Sequence, residues 1–280
     1  MKILVFINHY FGLSNGFVGG STRVDDASRR SQRQAHLDKC ILSLKSLGDQ
    51  VDIRICGVNG CALVPLDHTF DFIKDRPTHL VYESLELMTK VIDQYDYFVN
   101  IEDDILLSKE AFNNILRFDK CRSINEILLP NRLEMDQTGH SFCIDLYCIP
   151  GWTSEFLTYE NRDLRVAKNP HSGLLVMSQQ KLRYAIDNID TSFRGIVLCK
   201  EMDSAFAHFH SPFKLFRSFS DPDWHVVHHL DRFKGSPNII DKAHPHSPYG
   251  FKGEWERPLK ALLPDFVYRR LKYRKILPRR

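Results

Sequence analysis

The sequence predicts an α/β protein with a mostly parallel central sheet flanked by helices and a mixed second half. Three observations carry this expectation. Strand candidates recur at Lys2 to Asn8, an apolar run, at Val51 to Cys56 and at Tyr97 to Ile101. Segments with apolar residues at helical spacing lie between and after them, so strand and helix alternate through the first 120 residues. Beyond about residue 125 the alternation gives way to short, irregularly spaced strand candidates.

The elements follow in order. After the first strand comes a loop holding Gly12, Gly16, Gly19 and Gly20, then a stretch with Arg23, Arg29, Arg30 and Arg33. That composition suits a flexible segment able to close over an anionic ligand, which makes Arg30 and Arg33 candidate ligand contacts. Leu37, Cys40, Ile41, Leu44 and Leu47 then predict a helix over Asp38 to Leu47. The strand at Val51 to Cys56 is followed by a helix over Ser84 to Gln94, with Leu85, Met88 and Ile92 inward, and by the strand Tyr97 to Ile101. Lys109 to Phe118 supplies a helix with Ala111, Phe112, Ile115 and Leu116 on its core side. Further strands are expected at Glu126 to Leu129, Phe142 to Ile149, Gly173 to Ser178 and Lys214 to Phe219, and helices near Gln180 to Asn188 and Glu201 to His208. No repeat and no Pro/Gly-rich linker interrupts the chain, which predicts one domain over 1–258, its halves meeting near residue 120, and a tail over 259–280.

With 280 residues, 43% hydrophobic and 26% charged, the chain can bury a large core, and disorder as its main state is excluded. Its seven cysteines lack Cys-x-x-Cys spacing, so reduced thiols are expected rather than a disulfide framework or a zinc site. The opening apolar run is too short for a signal-peptide core and no run is long enough to cross a bilayer, which predicts a cytoplasmic protein. The net charge of +3 is unevenly spread: Leu259 to Arg280 carries eight Lys or Arg and one Asp, leaving the rest at −4. A nucleic-acid-binding body is therefore not expected.

The most informative segment is Tyr95-Asp-Tyr-Phe-Val-Asn-Ile-Glu-Asp-Asp, an apolar strand that delivers Glu102, Asp103 and Asp104 to its carboxyl end. Parallel sheets bind ligands beyond those ends. Three adjacent acids repel one another there unless a cation neutralises them, and hard oxygen ligands select Mg²⁺ or Mn²⁺. Such an ion keeps positions open for phosphate oxygens and acts as a Lewis acid toward a departing diphosphate.

This segment resembles the Asp-x-Asp element of GT-A glycosyltransferases in its Glu-Asp-Asp form. The resemblance implies Asp104 as the metal ligand, Glu102 and Asp103 as contacts to the donor, and a nucleotide-diphospho-sugar as that donor. Phe6-Ile7-Asn8-His9-Tyr10 is similar to the family's first strand and nucleotide-binding turn, which implies Asn8 and Tyr10 as donor contacts. His171-Ser-Gly-Leu-Leu-Val-Met-Ser resembles its acceptor-side strand and helix, and Cys199-Lys-Glu-Met-Asp-Ser-Ala its acidic helix start. Glu201 and Asp203 become the candidates for the catalytic base of an inverting transfer. They stand at i and i+2 and face apart on a helix, so only one can serve. The resemblance also implies a late histidine on the metal. Asp221-Pro-Asp-Trp-His-Val-Val-His-His offers His228 or His229, and the His-Val-Val-His alternation favours His228.

The tail interleaves Phe266, Tyr268, Leu271, Tyr273 and Ile276 with cations, the pattern of an interfacial anchor that would bring the protein to an anionic membrane surface and a glycan or lipid-linked acceptor. The rival readings are a metal-dependent phosphoesterase or nucleotidyltransferase, and a non-catalytic nucleotide- or carbohydrate-binding protein of the same fold.

Overall fold

A computed structural model describes residues 1–12, 27–135, 141–145, 152–197 and 201–230, with only the backbone for 142 and 201–203. Its centre is a five-stranded sheet in the order β11-β4-β1-β2-β3, built from β1 (Lys2–Asn8), β2 (Gln50–Gly57), β3 (His68–Thr69), β4 (Tyr97–Glu102) and β11 (Leu174–Ser178). The first four run parallel, and β11 closes the β4 edge antiparallel, pairing Leu174 with Ile101 and Ser178 with Tyr97. The mixed α/β architecture expected from the alternation is present.

Both faces of the sheet are covered at β1, β4 and β11, which is why these strands read as mostly apolar runs, whereas β2 towards the edge is half-buried and carries Asp52 and Arg54. Leu4 and Phe6 of β1 project with Phe98, Leu175 and Met177 toward α2 (Leu80–Thr89), α4 (Gln179–Asn188) and α5 (Glu201–His210). Ile3, Val5 and Ile7 project with Val99, Ile101 and Val176 to the other face, under α1 (Ala27–Lys45) and α3 (Lys109–Cys121). Each fully buried Leu, Ile or Phe in these layers contributes about 1.5–3 kcal/mol. Between β1, β4 and α2 lies one polar exception. Asn8 Nδ2 donates to Asn100 Oδ1 at 2.6 Å, Ser84 Oγ donates to Asn8 Oδ1 at 2.6 Å, and Asn100 Nδ2 donates to Ser84 Oγ at 2.9 Å. This closed set leaves none of its partners unsatisfied inside the core.

Two smaller sheets complete the second half of the chain. One has the order β5-β13-β7-β8, made of β5 (Ile105–Leu106), β13 (Val226–His229), β7 (Asn131–Met135) and β8 (Ser141–Cys143). The other has the order β6-β12-β10-β9, made of β6 (Glu126–Leu128), β12 (Lys214–Ser218), β10 (Arg162–Ala167) and β9 (Trp152–Tyr159).

Several boundaries differ from the sequence expectation. The first helix begins at Ala27, not near Asp38, so Arg29, Arg30 and Arg33 are helical rather than part of a loop. Its first turns are exposed and so lack an apolar stripe, but Arg and Gln are good helix formers without one. The second helix runs from Leu80 to Thr89, and Ile92 lies in a separate 3₁₀ turn, Ile92–Gln94. Pro77, at the start of the 3₁₀ turn before α2, suits a helical beginning upstream of Ser84. The expected strand Phe142 to Ile149 is realised over Ser141–Cys143, and 146–150 lie outside the described residues. Among the described residues no helix is long and apolar enough to cross a membrane. The tail at 259–280 lies outside the described residues.

Candidate functional site

The chain order places β2 and β3 on one side of β1 and β4 on the other, so the sheet's direction of growth reverses between β1 and β4. Crevices beyond the carboxyl ends at such a reversal are where open α/β sheets bind ligands. The end of β1 and the acidic end of β4 meet there, with Asn8 paired to Glu102.

Asp103 and Asp104 are nearly inaccessible, at 1% and 5% exposure, so their charges need partners. Three elements supply them. His9, just past β1, places Nδ1 2.5 Å from Asp103 Oδ2. Its Nε2 accepts from the Leu63 amide at 2.9 Å, so Nδ1 carries the proton that goes to the carboxylate. Gly57 permits this turn, because a Cβ there would stand 2.7 Å from the His9 carbonyl oxygen. From α1 comes Arg33, which lies on the stripe of Leu37, Cys40 and Leu44 and so continues the buried face upward past the sheet. Its Nη1 donates to Asp104 Oδ2 at 2.6 Å and its Nη2 to Asp103 Oδ1.

The third partner is His229, on β13. That strand pairs antiparallel with β5, setting His229 against Ile105, and the Leu230 amide donates to the Asp104 carbonyl at 2.8 Å. His229 Nε2 lies 3.4 Å from Asp104 Oδ2, while its Nδ1 lies 2.6 Å from Glu134 Oε1 on β7. Burial opposes charge on this imidazole, but Asp104 and Glu134 outweigh it and raise its pKa to about 10. Burial likewise opposes charge on Asp104, and Arg33 and His229 outweigh it, holding the carboxyl well below the usual range.

Next to this cluster stands a second buried charge network. Arg132 of β7 places Nη2 3.0 Å from Asp145 Oδ1, donates from Nη1 to His171 Nε2 at 3.2 Å, and stands 3.9 Å from Glu102 Oε2. Arg217 of β12, fully buried, donates to Asp145 Oδ2 at 3.1 Å, to the His171 carbonyl at 2.6 Å and to the Pro130 carbonyl. Burial first, then the charges of Arg132 and Arg217, push the His171 pKa well down, so His171 is neutral and accepts. Gly173 follows with φ +71 and passes so close to Glu102 that a Cβ would lie 2.9 Å from Oε2; both facts require glycine.

The residues singled out in the sequence divide as follows. Arg33, Asp103, Asp104 and His229 converge, and Glu102 stands beside them. His228, which the alternation favours, is exposed: successive strand residues face opposite ways, so if one histidine meets Asp104 its neighbour cannot. The Asn8 side chain is spent inside the core on Asn100 and Ser84. Tyr10 is half-buried, and burial together with a hydrogen bond to Cys61 raises its pKa to about 12. Arg30 lies over the Phe11 ring at 5.3 Å. Glu201 and Asp203 occupy the first turn of α5, and their side chains lie outside the described residues. Glu134, Arg132 and Asp145 escaped the sequence reading; their only signal is that Arg132 and Glu134 share one face of a strand whose buried face would ordinarily be apolar.

Among the described residues no three His, Cys, Asp or Glu side chains converge as a closed metal site would. The donor set does fit an open one. Asp104 Oδ1 is buried without a hydrogen-bond partner, and His229, which would have to give up its Nε2 proton to a cation, is oriented by a carboxylate on its far nitrogen as ligating imidazoles are. A divalent cation that takes its remaining ligands from water and phosphate needs no more protein than this. Glu134→Gln is expected to loosen His229 and weaken Mn²⁺ binding about 10–100-fold, measured by calorimetric titration with Mn²⁺; unchanged affinity would remove His229 from the site.

No family model matches the chain, and neither does any curated protein. Among solved structures, the crystal structure of A197 from STIV is similar at 12% identity with a TM-score of 0.37, over 84% of this chain and 100% of that one. A likeness at that score carries no argument about fold family or function.

Proposed function

We propose that this chain is a metal-dependent glycosyltransferase of the GT-A kind, moving a sugar from a nucleotide diphosphate to a glycan or lipid-linked acceptor. The observation that carries the reading is Asp104: a buried carboxylate at the sheet's reversal point, faced by His229 with Glu134 behind it. Mn²⁺ or Mg²⁺ on Asp104 and His229 would supply the Lewis acidity that stabilises a departing nucleoside diphosphate.

The chain's own residues then have separable tasks. His9 holds Asp103 in place, and Glu134 fixes the His229 ring. Glu102, beside the cluster and 3.9 Å from Arg132, would meet donor hydroxyls in this reading. In the transfer the acceptor oxygen attacks the anomeric carbon and its bond to the diphosphate oxygen breaks with the electron pair. The acceptor proton passes to Glu201 or Asp203 at the start of α5. The basic tail serves, in this reading, to hold the enzyme against an anionic surface where a lipid-linked acceptor resides.

Calorimetric titration with a panel of nucleoside diphosphates and nucleotide sugars, each with and without Mn²⁺, tests the proposal. Binding of one nucleotide that depends on Mn²⁺ is the expected result. No binding under any condition would reject it in favour of a phosphoesterase or a non-catalytic role.

A further inference from the structure

We propose that Arg33 is a resident counter-ion that holds the cation's place on Asp103 and Asp104 and transfers to the diphosphate when the donor binds, so that metal and diphosphate binding are positively coupled. The inference rests on the preceding reading of this site as one for a metal and a diphosphate. Its starting point is a conflict. The guanidinium fork already spans both carboxylates, with Nη1 2.6 Å from Asp104 Oδ2. A divalent ion on Asp104 would share that carboxylate with a full positive charge at contact distance, in a buried setting where water screens little. Yet Asp104 Oδ1, on the same carboxylate, is buried without a hydrogen-bond partner and so offers a vacant ligand position. One cation must give way to the other.

Arg33 is built to be the one that moves. Its side chain is 21% exposed, against 2% for Asp103 and 8% for Asp104, so it reaches the acids from the open side. It projects from α1 one turn after Arg30, whose guanidinium lies over Phe11, three residues beyond β1. A diphosphate held by a metal at Asp104 would come to the open side of the acids, within reach of Arg33. Its oxygens offer a guanidinium the same bidentate geometry that the two carboxylates offer now. The guanidinium would exchange one anionic partner for another without ever being left unpaired. Thermodynamic reciprocity then requires that diphosphate raise the affinity for metal by the same factor as metal raises the affinity for diphosphate.

The test is the affinity for Mn²⁺ alone, read from the electron paramagnetic resonance signal of free Mn²⁺, in the wild-type chain, Arg33→Gln and Arg33→Lys. Arg33→Gln is expected to bind Mn²⁺ at least about 10-fold more tightly than the wild type, because the competing charge is gone, and Arg33→Lys to stay near the wild type. Adding Asp104→Asn to Arg33→Gln should cancel the gain and so locate the ion. In the same variants, calorimetry with ADP, GDP and UDP in the presence of Mn²⁺ should show weaker binding to Arg33→Gln. Equal Mn²⁺ affinity in the wild type and Arg33→Gln would overturn the role of Arg33 while leaving the transferase reading standing. A chain that binds Mn²⁺ in no variant would overturn both.

Discussion

Asp104→Asn is expected to abolish Mn²⁺-dependent nucleotide binding and to lower sugar transfer by more than about 100-fold, the upper range for loss of a residue that only orients a ligand. Asparagine keeps the shape of the side chain and an oxygen for Arg33 Nη1, so the contact at 2.6 Å can persist. The negative charge that would hold the ion is lost. The measurements are turnover with the donor identified by the nucleotide panel, and calorimetry with and without Mn²⁺. Far-ultraviolet circular dichroism should be unchanged, which separates loss of the site from loss of the fold. Normal metal-dependent turnover in this variant would exclude Asp104 as a ligand.

Asp145→Ala is expected to produce the largest loss of stability, on the order of 3–5 kcal/mol, because it removes one partner of a buried ion cluster and leaves the others charged. Arg217 and Asp145 are both fully buried at 3.1 Å, and Arg132, 8% exposed, pairs with the same carboxylate. With Asp145 gone, Arg217 retains, among the described residues, the backbone carbonyls of Pro130 and His171. Urea denaturation at neutral pH reads the change directly. Adding Arg217→Met, which removes the stranded charge while filling similar space, should recover part of the loss. A single variant as stable as the wild type would mean that the cluster contributes little to folding.

The two variants probe neighbouring but different parts of the site, and they were not equally visible beforehand. Glu102, Asp103 and Asp104 are legible because they interrupt an apolar strand at its carboxyl end, and the rule placing ligands there needs only the order of strands and helices. The strands β1, β4 and β11 are legible because each is buried on both faces and reads as a mostly apolar run, whereas β2 is legible by its alternation of Val51, Ile53 and Ile55 with Asp52 and Arg54. What surrounds the acids is not legible. Arg33 belongs to a helix whose first turns carry no apolar stripe, so its membership in α1 depends on contacts made further along at Leu37 and Cys40. Glu134 and Arg132 sit on a five-residue strand, and nothing local says that its charged face turns inward; that is decided by β13 pairing beside it. The choice between His228 and His229 depends on register against β5, and a shift of one residue would exchange them. The hairpin of β9 and β10 is hidden because its outward residues break the apolar pattern.

The pairing of β4 with β11 also constrains how the chain can be made. During synthesis β1, β2 and β4 are available early, but β4 has no neighbour on its far side until Leu174–Ser178 has been added. Until then the nascent chain presents Tyr97-Phe98-Val99-Asn100-Ile101 as an open apolar edge, a template for pairing with another chain. A chain from which β11 has not yet emerged would therefore expose β4, whereas one that has emerged through β11 covers β4 and still lacks His229. The covering of β4 and the completion of the site are thus separate events on the elongating chain, and the covering of β4 comes first.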